Sequence, residues 1–383
     1  MSERAPRSSK ELRRAYGFDE VALVPGSLTV NPEDVDVSWQ VGNHILPIPI
    51  MASAMDAVVD PNFAGLLGKL GGLGVLNLDG LQTRYEFPEE PLSAIASASA
   101  ADVTLLIQQV YREPIKQALI GERVSAIKRH GVLAVASCTP TNAAAFAPLA
   151  VEAGLDIFVV QSTVTTARHI SSSVHQLSFE QFCASLPVPV LVGNCVSYEA
   201  AYELMQTGIA GLLIGVGPGA ACTSREVLGV GVPQITAIID CAAARDDCHA
   251  ATGRYVPIIA DGGMSTGGDI CKAFAAGADS VMLGSSFAQA QEAPGQGYHW
   301  GMATPHPGLP RGTRIQVGIS GSLQQILFGP SSRTDGRHNL IGALKTSMGT
   351  CGARNVKEFH LTEMVVAPSI VTEGKLWQLA GKK

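Results

Sequence analysis

The chain has 383 residues, 46% of them apolar and 16% charged, with a formal net charge of −6 at pH 7. The length suits one large α/β unit, and the apolar share can fill a large core. The acidic balance argues against a nucleic-acid partner, which would require a basic patch or stripe, and no run approaches the ~18 uninterrupted apolar residues of a membrane span.

An arm of roughly 45 residues comes first, its basic start MSERAPRSSKELRR lacking the apolar run of a secretory signal. PIPIMASAM (47–55) reads as the first strand, with a helix near 62–70 behind it. From there one phrase repeats: a helix ending in Gly, a short link, then an apolar strand. It appears in GKLGGLGVLNL (68–78), IKRHGVLAVAS (127–137), VEAGLDIFVV (151–160), LMQTGIAGLLIGVG (204–217) and AFAAGADSVMLGS (273–285). Glycine there supplies a left-handed helix cap, so the strand starts at once. PVPVLVGN (187–194) and VPIIADGG (256–263) bring the strands to eight. Further helices are expected near 114–129, 142–153, 179–185, 198–207, 233–245 and 267–276. The strands are continuous apolar runs, as when both faces are covered. Eight alternations predict an α/β fold of the (β/α)8 TIM-barrel kind. An open doubly wound sheet competes, although no G-x-G-x-x-G follows the first strand. Residues 1–383 are read as a single barrel domain, with a Gly/Pro-rich flap at 291–333 and a C-terminal tail at 365–383.

Polar residues gather where strands end: Ser53, Asp56, Asn77, Gln161, Ser162, Asn194, Cys222, Asp261, Gly284 and Ser285. In a barrel these positions converge on the face that holds active sites. Asp261, in IIADGG, can accept hydrogen bonds from ribose hydroxyls, while Gly262, Gly263, Gly284 and Ser285 can meet a phosphate. Cys222 stands in GVGPGAACTSREVLGVGVPQ (215–234), among backbone amides of Gly217, Gly219, Ala220 and Ala221 and near the cation Arg225. That setting suits a thiolate nucleophile. The other seven cysteines sit in helix or strand patterns, and none of the eight forms a C-x-x-C. They read as reduced thiols of a cytoplasmic protein, with neither zinc nor disulfides.

At these residues the chain resembles the IMP dehydrogenase and GMP reductase superfamily. SAMDAV (53–58) is similar to its SPMDTV segment, GGLGVL (71–76) to GGIGVI, and GNCVS (193–197) to GNVVT. GPGAACTSRE (217–226), ADGG (260–263), VMLGS (281–285), GISG (318–321) and SMGTCGA (347–353) follow in the family's order. The stretch 80–130 is too short for the paired CBS modules of most IMP dehydrogenases, so the likeness is to a short, CBS-less branch.

The resemblance implies oxidation of IMP to XMP with NAD, through a covalent thioimidate on Cys222. Ser224 keeps a hydroxyl where the family has threonine, and Arg311 of the flap would activate water, Arg314 being its rival. IMP would meet Ser53, Asn194, Gly219, Ala220, Asp261, Gly262, Gly263, Gly284, Ser285, Gly301 and Met302. Ala220 replaces a phosphate-binding serine, and Val317 stands where the family reads the purine with glutamine or glutamate. The dinucleotide would meet Gln161, Ser162, Thr163 and Gly215, Gln161 replacing the aspartate that binds the nicotinamide ribose. A potassium ion would lie on carbonyls of Gly217, Gly219 and Cys222, completed by Glu373 and Gly374 of a neighbouring subunit. That sharing implies a homotetramer or octamer. GVGVPQ leans toward GMP reductase, yet residues 293–334 hold no carboxylate for ammonia release. A nucleotide-binding protein without catalysis is the remaining alternative.

Overall fold

The computed structural model describes residues 12–170, 177–301 and 314–367. Its parallel strands are β1 (Ile50–Ala52), β2 (Leu73–Asn77), β3 (Val135–Cys138), β4 (Ile157–Gln161), β5 (Val190–Cys195), β6 (Gly211–Ile214), β7 (Ile258–Asp261) and β8 (Ser280–Leu283). Each pairs with the next in chain order, and Val281 of β8 returns to pair with Ile50 of β1. That last pairing closes the barrel and excludes the open sheet. Seven principal helices alternate with the strands, from Pro61–Lys69 through Gln117–Lys128, Pro140–Glu152, Phe179–Ser185, Tyr198–Gln206 and Gln234–Thr252 to Gly267–Ala275.

Local chemistry sets these boundaries. Asp60 caps the first helix by accepting from the Phe63 amide, with Pro61 at the first helical position. Thr266 and Asp269 form a reciprocal capping box before Gly267–Ala275. At the other ends Gly131 and Gly277 take φ of 74° and 118°, the left-handed caps that the repeating phrase implies.

Strand side chains alternate between two cores. Met51, Val75, Val135, Val159, Leu213 and Met282 point into the barrel, and Trp39, Val41 and Leu46 of a hairpin plug the end where the strands begin. Ile50, Leu76, Phe158, Val192 and Ile258 point outward against the helices. Each fully buried side chain of this size contributes about 1.5–3 kcal/mol, and both faces of every strand are covered. The N-terminal arm returns through Val21–Leu23, paired antiparallel with Met364–Val366. Helices Glu89–Ser97 and Val103–Val110 fill the stretch after β2, packing Leu92, Ile95 and Ile107 against Trp300. In the flap, Tyr298–His299 pairs antiparallel with Ile315–Gln316.

Candidate functional site

The carboxyl ends of the strands surround a cavity of about 650 Å³. Apart from Asp56 and Arg314, every candidate residue among the described ones lines it. The walls include Ser53, Gln161, Ser162, Thr163, Asn194, Gly215, Gly217, Gly219, Ala220, Cys222, Ser224, Asp261, Gly262, Gly263, Gly284, Ser285 and Gly301. Arg311 and Met302 of the flap, and Glu373 and Gly374 of the tail, lie outside the described residues.

Asp261 ends β7, and its backbone carbonyl accepts from Gln234 Nε2 at 3.1 Å, which pins the strand end. Its Oδ2 accepts from Asn194 Nδ2 and from Gln161 Nε2, each at 2.8 Å. Gln161 Nε2 also donates to Asn194 Oδ1 at 2.9 Å. Burial pushes the Asp261 carboxyl up to about 6, while the two amides pull it back down. It is therefore an anion at neutral pH, held by neutral donors. Gln161, expected at the dinucleotide, lines the cavity with its amide on Asp261 and Asn194.

Cys222 sits between the strand end and the short helix Ser224–Leu228. Its amide donates to the Gly219 carbonyl at 2.9 Å, and its Sγ lies 3.3 Å from the buried Ser224 hydroxyl. When the thiol loses its proton, that hydroxyl can turn and donate to the thiolate. Arg225 is not the cation of the site. Its side chain lies against Gly217 and Gly231, and its Nη2 donates to the Val232 carbonyl at 2.9 Å.

The third corner is built of Gly262 and Gly263, both left-handed with φ of 84° and 82°. A side chain on Gly263 would lie 3.0 Å from Pro218, so glycine lets the cysteine loop close onto β7. Beside them Ser285 Oγ lies 3.0 Å from His299 Nε2. His299 is buried, and that burial pushes its imidazole down to about 4, so the ring is neutral. Sequence reading missed His299, whose signal is only its place at the root of the flap. It also missed Arg337, the one Lys or Arg among the described wall residues. Four wall residues, Ser137, Gln161, Thr223 and His299, each carry a buried side-chain atom without a protein partner. Orphaned polar atoms are costly, and their concentration here marks a ligand site.

The family described as the IMP dehydrogenase / GMP reductase domain matches residues 15–303. The chain belongs to that family. It is 40% identical to an uncharacterized oxidoreductase of Mycolicibacterium smegmatis, over 92% of this chain and 97% of that protein. It is 27% identical to inosine-5′-monophosphate dehydrogenase of Methanocaldococcus jannaschii, over 91% of this chain and 92% of that one. A solved IMP dehydrogenase/GMP reductase-like protein from Corynebacterium glutamicum superposes with a TM-score of 0.89 at 36% identity, covering 94% and 96% of the two chains. This is an oxidoreductase family, and among the described residues no helix is long and apolar enough to cross a membrane.

Two residues singled out in the sequence stand elsewhere in this family member. Asp56 is buried behind the cavity wall, accepting from the Leu81 amide at 2.9 Å and the Tyr111 hydroxyl at 2.5 Å. Tyr111 in turn accepts from Trp300 Nε1 at 2.8 Å, which ties the flap root to the loop after β1. Arg314 donates to the Ala96 carbonyl at 2.9 Å and lies over the Tyr298 ring, 4.4 Å from its centre. It anchors the flap root and is not among the residues that line the cavity.

Proposed function

We propose that the protein is an IMP dehydrogenase. The observation that carries the reading is Cys222, paired with the Ser224 hydroxyl, in the same cavity as the Asp261–Asn194–Gln161 network. Asp261 suits ribose hydroxyls, and the glycine corner with Ser285 suits a 5′-phosphate. The purine then reaches the cysteine loop.

Cys222, as the thiolate, adds to C2 of the purine. Departure of the C2 hydrogen as hydride oxidises that carbon and leaves a thioimidate. Water activated by Arg311 adds at C2 and expels the thiolate, giving XMP and a proton. NAD, when bound, accepts the hydride. The half of the cavity containing Ser162, Thr163 and Gly215 fits it, since the Ser137 hydroxyl there is orphaned and can meet a polar ligand. Carbonyls of Gly217, Gly219 and Cys222 suit a potassium ion, because a carbonyl that already accepts one hydrogen bond keeps a second lone pair. Completion of that ion site by Glu373 and Gly374 of a second copy makes the proposed assembly a homotetramer or octamer.

The flap supports the proposed direction of the redox step. GMP reduction needs an acid to release ammonia, and residues 293–334 contain none. Of the two carboxylates that border the stretch, Glu292 accepts from the Leu323 amide at 2.9 Å and Asp335 accepts from Arg333 Nε at 2.8 Å. The test is the absorbance of reduced nicotinamide with IMP, NAD and potassium, with Cys222→Ala as control. Turnover only with GMP and NADPH makes the protein a reductase. Nucleotide binding without turnover or a covalent adduct at Cys222 makes it a non-catalytic binder.

A further inference from the structure

Gln161 is the last residue of β4 and 5% exposed, with its side chain in the cavity wall. Both hydrogens of its Nε2 are committed, one to Asn194 Oδ1 at 2.9 Å and one to Asp261 Oδ2 at 2.8 Å. The amide orientation is thereby fixed. A half-turn would set Oε1 against the Asp261 carboxylate and the Asn194 carbonyl, acceptor against acceptor. In the orientation that remains, Oε1 is buried and has no partner in the protein.

The carboxylate beside it is similarly half-used. Asp261 Oδ2 accepts from both amides, and no described side chain donates to Oδ1. One hydrogen-bonded unit therefore presents two free acceptors, one neutral and one anionic. A phosphate oxygen or a carbonyl cannot satisfy either of them. Two neighbouring donors on one ligand can, and the vicinal diol of a ribose is the arrangement that a purine nucleotide brings.

We propose that Gln161 is a specificity residue for the nucleotide's ribose: its Oε1 accepts from one hydroxyl of the diol, and Asp261 Oδ1 accepts from the other. This rests on the reading of the cavity as a purine-nucleotide site. It also moves Gln161 from the dinucleotide to the substrate. The amide is required, because Glu at this position would face Asp261 with a second negative charge, and Leu would leave one hydroxyl unpaired.

The experiment is calorimetry on the full chain with IMP, 2′-deoxy-IMP and 3′-deoxy-IMP, for the wild type, Gln161→Leu and Gln161→Met. The KM for NAD is measured alongside. The wild type is expected to bind each deoxy analogue about tenfold or more weaker than IMP. Either variant should bind IMP about tenfold weaker and no longer distinguish it from one of the two analogues, with the KM for NAD within about threefold. Equal wild-type affinity for IMP and either analogue overturns the proposal without recourse to a variant. So does a variant that keeps the full preference against both analogues, or one in which only the KM for NAD rises. Absence of IMP binding by the wild type overturns the nucleotide reading itself, an outcome distinct from IMP binding without ribose discrimination.

Discussion

Tyr111→Phe removes one oxygen from the middle of the molecule and nothing else. That oxygen donates to Asp56 Oδ2 at 2.5 Å and accepts from Trp300 Nε1 at 2.8 Å. Without it the indole N–H is orphaned, and Oδ2 keeps only Asn77 Nδ2 at 3.5 Å. A hydrogen bond to a charged group contributes about 1.5–3 kcal/mol, and an orphaned buried donor costs about 1–3. Because both losses fall on one atom, the expected destabilisation is about 3 kcal/mol rather than their full sum. Unfolding entropy near 2.1 cal/mol/K per residue over a chain of this size is ~0.8 kcal/mol/K, so Tm should fall by ~4 °C. The loss should depend on pH. Burial pushes the Asp56 carboxyl up to about 6, against the pull of the Tyr111 hydroxyl and the Leu81 amide. With the folded value above the unfolded one, the fold holds a proton that the unfolded chain releases between about 4 and 6. The cost of burying the charge is thus fully present above 6 and relieved as pH falls through that window. Tyr111→Phe lifts the folded value further, so its Tm deficit should be larger at pH 8 than at pH 5. Calorimetric scans at both values test this; no deficit, or a larger one at pH 5, would refute the reasoning.

Three further outcomes are expected. Cys222→Ala should lower turnover by at least about 10³ while changing IMP affinity less than about threefold, and Ser224→Ala should slow adduct formation about tenfold, both read by rapid-mixing kinetics and calorimetry. Asp261→Ala should weaken nucleotide binding by about 2–3 kcal/mol; with inosine, which has no titrating phosphate, wild-type affinity should fall as pH drops below about 6, and an Asp261→Asn variant that keeps this pH dependence would remove Asp261 as its source. Gly80→Ala would set a Cβ 2.1 Å from Asp56 Oδ1, against buried side-chain atoms with no room to retreat; a drop of at least ~2 kcal/mol in urea-unfolding stability is expected, and unchanged stability would mean the Asp56 loop is looser than described.

The barrel was legible because its signals are local. A glycine cap and an apolar run specify a helix end and a strand start, whatever surrounds them. The helices Glu89–Ser97 and Val103–Val110 were not legible, since their partner, Trp300, lies nearly two hundred residues away in sequence. Site residues divide in the same way. Cys222 and Asp261 declare themselves through Gly-rich strand ends. Asp56 also stands just past a strand end, yet the Tyr111 hydroxyl, itself held by Trp300 from a distant segment, makes it a structural carboxylate. At Gln161 the resemblance names a dinucleotide contact but gives no sign of the amide's protein partners, Asp261 and Asn194, which other strands bring to it. His299 offered only its place at the root of the flap, because its partner, the Ser285 hydroxyl, is brought near by the pairing of Tyr298–His299 with Ile315–Gln316.

Charge placement also bears on which end of the cavity suits the phosphate of the proposed nucleotide. The helix Pro140–Glu152 points its N-terminus at the cavity from β3, and a free helix N-terminus attracts anions. That end is already filled. Asp79 accepts from the Thr139 amide at 2.6 Å and from the Asn142 side chain, so a carboxylate occupies the position a phosphate would need. A second anion there would meet both the first charge and the loss of its donors. At the other end Gly262, Gly263 and Ser285 carry no charge, and Arg337 is the one Lys or Arg among the described wall residues. The protein's own anion therefore disfavours a phosphate at β3, and the β7–β8 end suits the proposed one better. That polarity supports the proposed nucleotide pose, in which the phosphate would lie at the glycine corner, the ribose over Asp261 and Gln161, and the base toward Cys222.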